Sequence, residues 1–213
     1  MTIQLYRHEL SGHAHRVETF LSLLQKDYEL VDVDLMAGEQ RTEDFLKLNP
    51  FGQVPVIVDG DVILSDSTAI LVYLARKYGP EWLPGDALGQ ARVQRWLSVA
   101  SGEVAAGPGA ARLVKLFGAP LDHEAAAAKA HKLLAQIDSH LSQSSFLAAD
   151  LPTIADLAVY TYVAHAPEGG VSLQDYPNVR GWISRLEALP NFVRMKQSLA
   201  TIPAAESSTS RSR

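Results

Sequence analysis

Three short segments carry residue types that could act together on one small ligand. Val54-Pro55 opens an apolar run, and an X-Pro bond is the one place where a cis peptide is cheap. Proline has no N–H and cannot serve as an ordinary ladder residue. A cis bond there would turn the main chain of Val54 outward, to pair with an extended ligand. Asp66-Ser67 stands before a helical pattern. The first turn of a helix has unpaired N–H groups and a partial positive charge, so a carboxylate can bind there with the Ser67 hydroxyl as a further donor. Asp66 can accept from an ammonium, and the pair then suits both ends of an amino-acid zwitterion. Ser11-Gly12 lies between a strand pattern and a helix, where a hydroxyl and a helix start favour an anion. Each segment also has a purely structural reading: a proline that begins a strand, a helix cap, a turn.

Other chemistry is weaker or excluded. The chain has 213 residues and no cysteine, so disulfides, thiolate metal sites and a protein thiol nucleophile are ruled out. Any thiol chemistry must use a thiol that the ligand brings. His8, His13 and His15 cluster, but residues two apart on a helix face different ways and no carboxylate pair completes a metal site. Solvated histidines near a loop are the expectation, with no metal. Asp122-His123-Glu124 begins a helix, where acids suit the dipole. Thr153 and Asp156 have capping-box spacing. Trp96, Trp182, Tyr160 and Tyr162 read as core or interface aromatics. The formal net charge of -5 gives no global attraction for nucleic acid. No apolar run approaches the ~18 residues of a membrane span. The expectation is a cytoplasmic protein with no membrane or nucleic-acid partner.

The elements that must position these residues follow from periodicity. Ile3–Tyr6 reads as a strand, and Ala14, Val17, Leu21 and Leu24 recur at helical spacing. Glu29–Leu35 alternates as a strand, with Val31, Val33 and Leu35 on one face. Thr42–Leu48 holds one or two helical turns. Val54–Val58, Asp59-Gly60 and Val62–Leu64 read as a hairpin, and Asp66–Tyr78 as a helix. The stretch 79–87, with two prolines and two glycines, is a linker. Beyond it no strand is expected. Leu88–Phe117 is helical with a bend at Gly107-Pro108-Gly109, followed by helices over His123–Leu141, Thr153–His165 and Asn178–Leu189. Pro190 suits the first position of a last short helix. The polar tail 203–213 should be disordered.

This arrangement resembles the glutathione transferase superfamily over roughly residues 2 to 200. The resemblance rests on Gln53-Val54-Pro55, Asp66-Ser67, the order of elements, the helical second half and Thr-Ile-Ala-Asp at Thr153–Asp156. It implies an α/β plus all-α architecture: a thioredoxin-like βαβ-α-ββα domain over 1–78, a linker over 79–87 and a helical domain over 88–202. It points to a serine-type, bacterial or theta-like member. It implies glutathione as co-substrate, with the Val54 main chain on the cysteinyl part, before a cis Pro55. Asp66 and Ser67 would hold the γ-glutamyl end, and Gln53 and Gln40 the glycyl carboxylate. Thr153 and Asp156 would be structural. A homodimer is implied as well. Ser11 looks like the thiol-activating serine, with Tyr6 at the end of the first strand as its rival. Leu10, Val104, Pro108 and Arg112 would line the pocket of a small electrophile.

The physical demand on Ser11 is modest. A free thiol of pKa ~8.5 is only ~3% ionised at pH 7, and lowering that pKa by ~2 units needs ~2.7 kcal/mol. A charge-assisted hydrogen bond of ~1.5–3 kcal/mol and a helix dipole of ~0.3–1 kcal/mol are sufficient. The resemblance implies conjugation of glutathione to small hydrophobic electrophiles. The alternatives are a glutathione-dependent peroxidase or disulfide reductase, or a non-catalytic binding or regulatory protein of the same fold.

Overall fold

A computed structural model describes residues 2–198. Its first half is a four-stranded sheet in the order β2-β1-β3-β4. Strand β1 (Ile3–Arg7) leads into helix α1 (Gly12–Leu23) and the parallel strand β2 (Tyr28–Asp32). Helix α2 (Glu43–Leu48) precedes the antiparallel hairpin of β3 (Val56–Asp59) and β4 (Val62–Ser65), and helix α3 (Ser67–Tyr78) follows. The β3–β4 loop is Gly60-Asp61, between the paired Asp59 and Val62; Gly60, at φ 63°, opens it as the first residue of a glycine-first turn, so the turn sits one residue past the expected Asp59-Gly60. Strand β2 stops at Asp32, short of the alternating pattern that runs to Leu35. Val33 still donates to Arg7 O and is buried in a small cluster with Phe45 and Val56; beyond it the Asp34 carboxylate takes the N–H groups of Met36 and Ala37 and turns the chain away. Strand β3 begins only after Pro55, as a residue without an N–H requires.

Helix α3 is tied to the hairpin by one buried carboxylate. Asp59 accepts from Tyr73 Oη at 2.8 Å, Lys77 Nζ at 2.8 Å and Tyr78 Oη at 2.7 Å. Burial acts to raise its pKa, yet these donors win and hold it below the ordinary carboxylate value. This anchor at the C-terminal end of α3 sets where the opposite end, Asp66-Ser67, must lie.

The second half is helical: α4 (Ala87–Val99), α5 (Ala110–Phe117), α6 (His123–Leu141), α7 (Ile154–Ala164) and α8 (Pro177–Glu187). Between α4 and α5 the chain makes a π-helical segment, Ala100–Gly109. Pro108 lacks the N–H that an α-helix would use there, and wide turns commonly absorb such a defect. Gly107 is needed because a Cβ there would come within 3.0 Å of the Ala130 nitrogen in α6. The predicted bend at 107–109 is therefore a change of helical pitch.

A continuous core joins the halves. Ile3, Leu5, Phe20 and Ile70 belong to the same buried cluster as Leu134, Val159, Val163 and Trp182; each such side chain contributes roughly 1.5–3 kcal/mol. Helix α7 is the central element, buried on all sides and packed against α1, α3 and α4.

The last short helix expected at Pro190 does not form. Residues 190–198 run without regular structure, with Asn191 at φ 64°. Their carbonyls serve other donors instead. Ser22 Oγ donates to Asn191 O, and Val193 O receives Thr19 Oγ1 at 3.0 Å and His15 Nε2 at 2.8 Å. The segment straps α1 to the helical half. The tail 203–213 lies outside the described residues.

The strap also changes the reading of the histidines. His15 is buried, and burial lowers its pKa to about 3. His13 is lowered to about 4, first by burial and then by Arg16. Both are neutral in the folded protein at pH 5, whereas in the unfolded chain each takes a proton near pH ~6.5. Below that value the unfolded chain binds more protons, so stability falls as pH drops from 6.5 toward 4. The urea midpoint should be lower at pH 5 than at pH 7.5, although the buried Glu18 and Asp156, whose pKa values burial raises, act in the opposite sense. An equal midpoint at the two pH values would contradict this account.

Candidate active site

The site begins at the start of α1. Ser11 is the N-cap, and its Oγ accepts from Ala14 N at 3.2 Å. The cap uses an oxygen lone pair and leaves the hydroxyl proton available to an acceptor. Gly12 follows because Tyr162, from α7, lies across this turn: a Cβ on Gly12 would sit 2.7 Å from Tyr162 Cζ. Burial raises the Tyr162 pKa, while the N–H groups of Gly12 and His13 act on its oxygen in the opposite direction. A tyrosine distant in sequence thus meets the first turn of α1.

Ser11 opens onto a cavity of about 740 Å³ lined by residues from both halves. On the sheet side it meets Gln40, Asn49, Gln53, Val54, Pro55, Asp66 and Ser67; on the helical side, Arg112, Leu113, Phe117 and Tyr162. The Val54–Pro55 bond is cis. Within the described residues neither the N–H nor the C=O of Val54 has a hydrogen-bond partner, and a ligand main chain can pair there. Asn49 holds this stretch, its Nδ2 donating to Gln53 O at 2.7 Å and its Oδ1 accepting from Phe51 N. Gln40 donates from Nε2 to Leu35 O at 3.4 Å, and its Oε1 is buried without a partner among the described residues.

Asp66 and Ser67 begin α3. Asp66 sits at φ 69°, a region costly for a residue other than glycine. Its Oδ1 accepts from Thr68 N, Thr68 Oγ1 and Ala69 N. Burial acts to raise its pKa, and those bonds overcome it, keeping Asp66 a carboxylate below the ordinary range. Ser67 is buried, with His13 Nδ1 at 3.2 Å and Arg16 Nη1 at 3.4 Å from its Oγ. Neutral His13 therefore leaves Ser67 in a setting where Arg16 is the nearby positive charge. That charge is itself buried, which lowers the Arg16 pKa to about 10, still far above neutrality.

The structure brings together Ser11, Gln40, Gln53, Val54, Pro55, Asp66, Ser67, Leu10 and Arg112 on one cavity. Tyr6 is not on its wall; it packs edge-on against Phe45, ring centres 6.4 Å apart, in the small second cluster. Val104 and Pro108 are also absent from the wall. Both are buried within the π-helical segment, and Val104 belongs to the main core. A face extrapolated at 3.6 residues per turn cannot be carried through a segment of wider pitch, so Arg112, Leu113 and Phe117 of α5 form the wall instead. Thr153 and Asp156 do not line this cavity; they form a buried capping box at the start of α7. Sequence reasoning missed His13, Asn49 and Tyr162. His13 had a usable signal, two residues past Ser11 on the same first turn; Tyr162 had none. Among the described residues no three His, Cys, Asp or Glu side chains gather as a metal site, and no helix is long and apolar enough to cross a membrane.

Comparison with known proteins accounts for both halves. Residues 1–76 match the family described as glutathione S-transferase, N-terminal domain, and residues 119–190 match its C-terminal domain. The chain is 36% identical to glutathione S-transferase 3 of Zea mays, with 94% of this chain and 95% of that protein covered. The crystal structure of a glutathione S-transferase from Pseudomonas fluorescens superimposes with a TM-score of 0.86 at 29% identity, covering 92% of this chain and all of that one. A glutathione transferase homologue from Drosophila mojavensis, solved with bound glutathione, matches at 30% identity and TM-score 0.79 over 89% of each chain.

Proposed function

The chain belongs to the glutathione transferase superfamily, and from that premise we propose that it joins the sulfur of glutathione to small apolar electrophiles. One observation carries the reading: the Ser11 hydroxyl shares a single cavity with the unpaired Val54 main chain, the Asp66-Ser67 helix start and an apolar wall from the helical half. The polar groups match a zwitterionic tripeptide in order. Asp66 takes the γ-glutamyl ammonium and Ser67, with the α3 N-terminus, its carboxylate. Val54 pairs with the cysteinyl main chain. Gln53 and Gln40 reach the glycyl carboxylate by donating from their amide Nε2 groups.

The sulfur then lies at Ser11, whose free proton stabilises the thiolate. The thiolate attacks the electrophilic carbon, the new S–C bond forms, and the leaving group or π pair departs with its electrons. Leu113 and Phe117, with Met36 and Phe51 at the exposed rim, supply the apolar surface for the electrophile. Residues 1–78 would hold glutathione and 88–202 close the electrophile side. The resemblance also implies a homodimer in the cytoplasm, which light scattering behind a sizing column would test for assembly.

The test is retention on immobilised glutathione followed by turnover of chlorodinitrobenzene. Retention with turnover is expected; retention with no turnover of any electrophile would favour a non-catalytic binding protein. Asp66→Asn should isolate the carboxylate, because asparagine also caps helices and tolerates positive φ. Losing a charge-assisted bond worth ~1.5–3 kcal/mol should weaken glutathione binding roughly 10- to 100-fold by isothermal calorimetry. Equal affinity in the two proteins would remove Asp66 from the site.

A further inference from the structure

Tyr162 brings a second hydroxyl to the cavity wall. It comes from α7 and is 7% exposed. Its place is fixed by the first turn of α1. The ring lies across Gly12 and edge-on to His13, ring centres 5.2 Å apart, and the Arg16 guanidinium carbon is 5.8 Å from its centre. The N–H groups of Gly12 and His13 act on its oxygen, so the hydroxyl serves there as an acceptor. Its proton has no acceptor among the described residues. Unlike the free nitrogens of Arg16 and Arg112, the oxygen is not sealed away from the cavity. Buried polar groups are nearly always paired in native proteins, and a free proton on a ligand cavity marks a place for an acceptor.

The helix start sets the position and charge of that acceptor. The N–H of His15 bonds to Ser11 O and that of Ala14 to Ser11 Oγ; those of Gly12 and His13 meet Tyr162. The orphan N–H groups of a first turn all point out of the same helix end, so the two hydroxyl oxygens that receive them lie side by side. Each accepts from the helix and has its proton left to give, and accepting one hydrogen bond strengthens the next. A ligand atom that meets Ser11 therefore meets Tyr162 as well. The surroundings favour an anion: Arg16 and Arg112 are the charges acting on Tyr162, and His13 beside it is neutral. Burial outweighs both arginines and raises the Tyr162 pKa, so the phenol keeps its proton at neutral pH and acts as a donor.

We propose that Tyr162 is a second catalytic hydroxyl, donating to the same glutathione sulfur as Ser11. This deepens the conjugation reading, which puts the sulfur at Ser11, and rests on it. A hydrogen bond to the charged form favours that form, so a second donor holds the thiolate more than the thiol. It also fixes direction. With Ser11 alone the sulfur can swing about one bond, whereas donors from two helices aim it at the apolar wall of Leu113 and Phe117. Ser11 belongs to the sheet half and Tyr162 to the helical half, so the thiolate is fully stabilised only where the two halves are packed together.

The experiment titrates the thiol of glutathione labelled with carbon-13 at the cysteinyl β-carbon, bound to wild type and to Tyr162→Phe, by nuclear magnetic resonance. It also measures the affinity of both proteins for S-methylglutathione, which has no thiol to ionise. Phenylalanine keeps the ring against Gly12 and removes the donor. The bound-thiol pKa should rise by about 0.5–1 unit, the scale of one further hydrogen bond, with S-methylglutathione binding unchanged. An unchanged pKa overturns the inference. So does an equal loss of affinity for glutathione and its S-methyl derivative, which would make Tyr162 only a brace for α1. Should Tyr162→Phe not fold, 3-fluorotyrosine in place of Tyr162, a stronger donor of nearly the same size, decides: the bound-thiol pKa should fall below that of wild type, and an equal value overturns the inference. A wild-type thiol that titrates at the free value would instead sink the Ser11 reading, and this inference with it.

Discussion

Asp156→Ala should lower the stability of the protein by about 3–5 kcal/mol, because buried donors left without an acceptor cost about 1–3 kcal/mol each. Asp156 is 0% exposed and serves four donors. Its Oδ1 accepts from Leu147 N and Trp182 Nε1, each at 2.9 Å. Its Oδ2 accepts from Thr153 N at 2.9 Å and Thr153 Oγ1 at 3.2 Å. Burial raises its pKa despite all of these bonds, so the carboxylate is an expensive group to hold and its net value is smaller than its removal cost. Alanine would strand the Leu147 and Trp182 donors in the core and remove half of the α7 capping box. Because α7 packs on α1 and α3, the damage would reach both halves. For a protein of this size the melting temperature should fall by on the order of 6–20 °C. Trp182→Phe is the graded control: it deletes one donor, keeps an aromatic ring, and should cost less than half as much. A loss below ~1 kcal/mol for Asp156→Ala would show that the box is incidental.

Ser11→Ala should reduce kcat/KM for glutathione conjugation at least about tenfold at pH 6.5, with the deficit narrowing toward pH 9. If Ser11 lowers the thiol pKa by ~2 units from ~8.5, the thiolate fraction at pH 6.5 changes from about one half to about 1%. A more basic thiolate is intrinsically the better nucleophile, with a Brønsted slope of about 0.4–0.5, which offsets several-fold of that loss. The lost hydrogen bond also frees the sulfur to leave its attacking position, which costs rate again. Near pH 9 the free thiol ionises unaided and only the positional part remains. The cap on Ala14 N is lost at the same time, a stability cost of ~0.5–2 kcal/mol. Ser11→Thr keeps both the cap and the hydroxyl and should recover most of the activity. A deficit that stays constant with pH would mean that Ser11 positions the loop and does not tune the thiol.

Much of the fold was legible because its signals are short-range. The hairpin turn at Gly60, the caps at Ser11, Asp66 and Asp122, and the Thr153–Asp156 box each need only a few neighbouring residues, and helices α1 and α6 follow from uninterrupted helical patterns. The sheet-side half of the site was legible for the same reason: Val54-Pro55 and Asp66-Ser67 are local motifs. The helical side of the cavity was not. Its wall depends on the pitch of the π-helical segment, which rotates Val104 and Pro108 into the core and presents α5. Tyr162 reaches Gly12 only because α7 packs across α1, and no local pattern announces a contact over that distance. His15 reads as a loop histidine until residues 190–198 are seen to strap over α1. The same strap explains why Pro190 starts no helix: the carbonyls at Asn191 and Val193 are occupied by side chains of α1.

The central claim is that the Ser11 hydroxyl holds the glutathione sulfur as a thiolate. The most direct measurement is ultraviolet titration of thiolate absorbance for glutathione bound to wild type and to Ser11→Ala. The account predicts a bound-thiol pKa about 2 units below the free value of ~8.5 in wild type, and a return toward the free value in the variant with glutathione still bound. The same depressed pKa in both proteins would contradict it and take Ser11 out of the mechanism.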